Sequence, residues 1–142
     1  MKTIAAIVLG IAVSSTAAAQ EVRPYKEGNV VAVSFIRTKP GKFDDYLKYL
    51  HGPYKALMEA QKKAGLVLDH RVYAAYPKNP REPDVILTVT YANMGALDRA
   101  DESDAVTARV MGNIANQNKG MADREAVREI LGSELIRELV AR

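Results

Sequence analysis

Val30 to Ile36 (VVAVSFI) is rich in β-branched and aromatic residues without strict alternation, the pattern of a strand covered on both faces. Lys39-Pro40-Gly41 ends it. From Lys42 the apolar residues fall at Phe43, Leu47, Leu50, Tyr54, Leu57 and Met58, one stripe of an amphipathic helix that runs to about Lys63 and stops at Gly65. On this stripe Tyr46 and Tyr49 are flanking positions. Pro53 has no N–H to donate and its ring crowds the Tyr49 carbonyl, which predicts a kink or short break at Gly52-Pro53.

Leu66 to Tyr76 and Asp84 to Tyr91 read as two further strands, with the proline-rich segment from Pro77 to Pro83 as the loop of their hairpin. Asn93 opens a helical region. A further helix is expected to begin near Ser103 as its cap, with Val106, Val110, Met111 and Ile114 on one face. Another short helix is expected from Asp123 to Leu131, ahead of Gly132. The last stretch, Glu134 to Val140, is ambiguous: Leu131, Leu135 and Leu139 fit a helix, whereas Ile136 and Val140 flank a charge as an edge strand does.

The N-terminus changes the picture of compartment. Lys2, the apolar run Ile4–Val13 and the small residues Ala17-Ala18-Ala19 form a secretory signal with an Ala-x-Ala cleavage site, placed at residues 1–19. The apolar run is about half of the roughly 20 residues that span a bilayer, so an anchor is not expected and the mature chain is expected to be periplasmic or secreted. Residues 20–28, with Pro24 and Gly28, read as a flexible polar leader, and residues 29–142 as a single domain. The net charge of +3 arises from interleaved acids and bases with no basic block, which argues against a nucleic-acid surface. The chain has no cysteine, so disulfides, thiolate metal sites and a cysteine nucleophile are unavailable.

The order strand, Lys-Pro-Gly, helix, strand, strand, helix resembles the ferredoxin-like βαββαβ unit of the dimeric α+β barrel superfamily. Within it, Val33 to Phe43 followed by Lys55 to Gly65 is similar to exported members with no established activity. The resemblance covers about residues 29–97. It implies an α+β fold with an antiparallel sheet whose fourth strand is Glu134 to Ala141, and an extra helical segment over 101–131 before that strand. It also implies a homodimer. The first strand supports this independently, because it offers Val31, Val33 and Phe35 to one face and Val30, Ala32 and Ile36 to the other, and one layer of helices covers only one of them.

Candidate chemistry is sparse. His70 lies mid-strand with Leu68, Val72, Ala74 and Tyr76, and would serve as base or ligand contact if that face lines the barrel interior. His51 sits beside the expected kink. Two histidines with no HExxH spacing give no metal set, and neither metal nor cofactor is expected. Tyr46, Tyr49 and Tyr76 offer flat faces with polar tips, suited to a small organic molecule held between sheet and helices. The resemblance also implies an alternative, a cofactor-independent oxygenase or isomerase acting on an aromatic or quinone-like substrate. Haem-degrading and antibiotic-oxidising relatives commonly use a pocket tryptophan, and this chain has none.

Overall fold

A computed structural model describes residues 22–142; the expected signal at 1–19 lies outside the described residues, as do Gln20 and Glu21. The elements are β1 (Tyr25–Thr38), α1 (Phe43–Tyr49), a π-helical turn (Leu50–Tyr54), α2 (Lys55–Lys63), β2 (Asp69–Ala74) and β3 (Val85–Tyr91). A 3-10 turn (Met94–Asp98), α3 (Ala100–Met111), α4 (Ile114–Glu125) and β4 (Arg128–Ala141) follow.

The four strands form one antiparallel sheet in the order β2-β3-β1-β4, the order of the ferredoxin-like unit. Register fixes the faces. Ile36 pairs with Val85, Ser34 with Leu87 and Ala32 with Val89, while Val72 pairs with Leu87 and His70 with Val89. These residues share the helix-covered face, where Ile36, Val85 and Leu87 pack with Tyr46 and Leu50 as the core. The opposite face carries Val31, Val33, Phe35, Ile86 and Ile136, and none of the described helices packs on it.

Several expectations change. Tyr25 to Gly28, assigned to the leader, already belong to β1, with Tyr25 opposite Ala141 and Glu27 opposite Leu139. Tyr46 is not a flanking residue but is 2% exposed in the core. The break at Gly52-Pro53 takes the form of a π-helical turn, whose wider spacing accommodates the missing proline N–H.

Ser103 lies within α3, whose N-cap is Arg99. Ile114 begins α4, so it does not share a helix with Val106. The helix expected over Asp123 to Leu131 is absent: α4 ends at Glu125 and β4 starts at Arg128, six residues earlier than Glu134. Leu131, Leu135 and Leu139 misled because a spacing of four suits one side of a strand as well as a helix. Leu131 is in addition the extra residue of a β-bulge between the pairs Phe35–Gly132 and Ile36–Ile130.

Asp84 ties the end of the hairpin loop to β1. Its carboxylate accepts from the Thr38 backbone N–H at 2.8 Å and from the Thr38 hydroxyl, and Arg37 donates to the Glu82 carbonyl at 3.1 Å. These bonds hold the loop against β1 at the end of the sheet away from Tyr25.

Candidate binding cleft

The helix-covered side holds a run of aromatic rings. Tyr46 and Tyr49, one turn apart on α1, stack with centroids 6.1 Å apart and planes at 15°. Tyr54, at the end of the π-turn, follows 6.4 Å from Tyr49, and the His70 ring meets Tyr54 edge-on at 6.2 Å. Two guanidiniums lie over this run, Arg124 over Tyr49 at 5.0 Å and Arg128 over Tyr46 at 5.8 Å.

Burial pushes the Tyr54 phenol up to about 12, with the neighbouring Tyr46, Tyr49 and Tyr91 adding to it. Burial also raises Tyr46, opposed by the positive charges of Arg128 and Arg124, and raises Tyr91. All three phenols are therefore neutral hydroxyls across the physiological range.

His70 is tied into this run and not into a barrel interior, since it lies on the helix-covered face. Its Nε2 is 3.0 Å from Glu59 Oε1 on α2, while Nδ1 is buried without a hydrogen-bond partner. The hydrogen bond to His70 holds the Glu59 carboxyl below its usual range. Tyr76, past the end of β2, is 92% exposed, and His51 is exposed on the π-turn. Neither joins Tyr46, Tyr49 and His70. Among the described residues no three His, Asp or Glu side chains converge as a metal set.

The cleft itself lies between α1 with its π-turn and the pair α3 and α4, with a volume of about 530 Å3. Leu57, Met111, Met121 and Val127 line it with apolar surface, Tyr49 and Pro53 form the wall on the α1 side, and Arg124 lies opposite on α4. Asp45 and Asp123 also border it, each already paired with lysine: Asp45 with Lys42 at 3.2 Å, Asp123 with Lys119 at 2.8 Å. Of the sequence candidates only Tyr49 reaches this cleft. Met121, Arg124 and Val127 escaped the sequence reading because the wrong helix boundaries split them from their neighbours. Their one signal is spacing, since Gly120 and Arg124 stand one turn apart and both border the cleft.

No family model matches this sequence, and no curated protein matches it. Solved structures do. Protein SO0527 from Shewanella oneidensis superposes with TM-score 0.53 and 16% identity over 82% of this chain and 99% of its own. A dimeric ferredoxin-like protein from an uncultured marine organism gives TM-score 0.52 and 10% identity over 82% of this chain and 98% of its own. HapK from Hahella chejuensis gives TM-score 0.51 and 11% identity over 77% of this chain and 91% of its own. At these identities the likeness speaks for the fold, and it agrees with the sheet order and the helix-covered face described above. The chain has the ferredoxin-like α+β fold.

Proposed function

We propose that the mature chain is an exported homodimer that binds a small, flat organic molecule, one per subunit, in the cleft between α1 and α4. The observation that carries this reading is the cleft. Its volume of about 530 Å3 lies within the range typical of small-molecule sites, and its wall is mostly apolar with a few polar groups. The minimal βαββαβ unit has one helix between its third and fourth strands, whereas here α3 and α4 both stand there. The second of them forms one wall of the cleft.

The homodimer rests on the uncovered sheet face with Val31, Phe35, Ile86 and Ile136, and on structural neighbours described as dimeric. Export rests on the N-terminal sequence pattern. The oxygenase or isomerase alternative needs a base facing the bound molecule, and His70 faces Glu59 and Tyr54 instead. Binding is therefore the better reading.

Gly120 borders the cleft, and a Cβ added there would meet Arg124 Nη1, on the same wall, at 3.4 Å. Titration with Nile red, a neutral flat dye, is expected to give saturable fluorescence with the wild type. With Gly120→Leu the signal is lost while the far-ultraviolet dichroism is unchanged. Equal binding by both proteins would place the ligand elsewhere.

A further inference from the structure

Resting on that reading of the cleft, we infer that the molecule it takes is a planar aromatic monocarboxylate, whose carboxylate is held by Arg124 and whose ring lies along Tyr49. Arg124 sits in the last turn of α4, half-buried, with its Cζ 5.0 Å from the Tyr49 centroid. A guanidinium carries five N–H donors, and among the described residues those of Arg124 meet no hydrogen-bond acceptor and no carboxylate. The other charges at the cleft are matched: Asp45 by Lys42 and Lys48 at 3.2 and 3.7 Å, and Asp123 by Lys119. Arg124 is thus a cation with no carboxylate partner among the described residues, on a mostly apolar wall that also carries Thr107, Asn116 and Gln117.

Its geometry selects the ligand. With its Cζ 5.0 Å over the Tyr49 ring, the guanidinium carries donors that fit a carboxylate with two parallel N–H···O bonds. A carboxylate placed there brings an attached flat ring beside the apolar side chains of Leu57, Met111 and Met121. Arg128 stands behind, its side chain 7% exposed over Tyr46, with Nε unpartnered and Nη1 paired with Glu125 Oε1 at 3.4 Å. One unmatched cation at the wall suits one negative charge on the ligand. An uncharged ring of the same shape would leave the guanidinium without a partner in a half-desolvated place.

Two isosteric probes decide it, 2-naphthoate and 2-naphthamide, titrated by calorimetry into the full mature chain. The wild type is expected to bind the acid at least about tenfold more tightly than the amide. Arg124→Gln is expected to weaken the acid by a similar factor and leave the amide unchanged. Equal wild-type affinities, or equal losses for both probes in Arg124→Gln, overturn the carboxylate inference while the cleft remains the site. If neither probe binds, the carboxylate inference falls, and the Nile red titration decides separately whether the cleft binds at all. Should Arg124→Gln not fold, the comparison of the two probes on the wild type still decides.

Discussion

Gln61 on α2 donates its side-chain amide to Ser103 on α3, to the carbonyl and to Oγ, each at 3.1 Å. The side chain is 4% exposed, and a third contact reaches Thr107 Oγ1 at 3.3 Å. A buried amide with three acceptors joins the two helices where an apolar residue would be expected. Gln61→Ala is therefore expected to cost about 1–3 kcal/mol in chemical denaturation, from the lost bonds and from polar groups left on α3. Lys63→Ala, at an exposed position two residues on, should be nearly neutral.

Leu50 is 1% exposed and packs with Tyr46, Ile36 and Val85, whereas Leu47 on the same stripe is only partly buried. Leu50→Ala should cost about 2–5 kcal/mol and Leu47→Ala clearly less, measured by urea unfolding. Equal losses would show that the two positions share one environment.

Ile136 is 49% exposed on the open sheet face, opposite Val31 across β1 and β4. Ile136→Glu is expected to give a folded monomer in sedimentation experiments at micromolar concentration, where the wild type is expected to sediment as a dimer. The fold should survive because none of the described helices packs on this face. A wild-type monomer would remove the basis for the dimer.

The Tyr54 phenol, pushed up to about 12 mainly by burial, makes stability depend on alkali. In the unfolded chain a tyrosine ionises near 10, so between about pH 10 and 12 the folded state holds a proton that the unfolded state has lost. The contribution is fully present below pH 10 and disappears as pH rises through the folded value, up to about 3 kcal/mol. The stability of the wild type to denaturation should fall from about pH 9.5 to 11.5, and that of Tyr54→Phe should fall less over the same range. Identical slopes would mean that Tyr54 is not desolvated.

Where one periodic pattern continued unbroken, the sequence was legible. β1, the stripe from Phe43 to Leu50 and the β2–β3 hairpin follow from β-branched runs, helical spacing and the proline-rich loop. Tyr46 was misplaced because the stripe was centred on Phe43 and Leu47, whereas the face of α1 that enters the core is centred on Tyr46 and Leu50, one turn apart, with Phe43 and Leu47 only partly buried. β4 was started late because Arg128, Glu129 and Gly132 dilute its apolar content and Leu131 bulges out of register. Tyr49 was identified as a candidate from its ring alone. Arg124 was not, because its meaning lies in what it lacks and in the helix opposite, neither of which is written locally.

The π-turn at Leu50–Tyr54 has a further consequence for how this chain tolerates insertions and deletions. Residues added to the loop over Pro77 to Pro83 would be absorbed at the surface. A residue removed within Leu50–Tyr54 would let the wide turn close into ordinary α geometry, and because a π-turn holds about one residue more than an α-turn in the same rotation, α2 would keep its phase relative to α1. A residue removed within α2, between Lys55 and Gln61, has no such outlet and would turn Gln61 by about 100° away from Ser103. Length is therefore under tighter physical constraint in α2 than in the turn that carries Pro53.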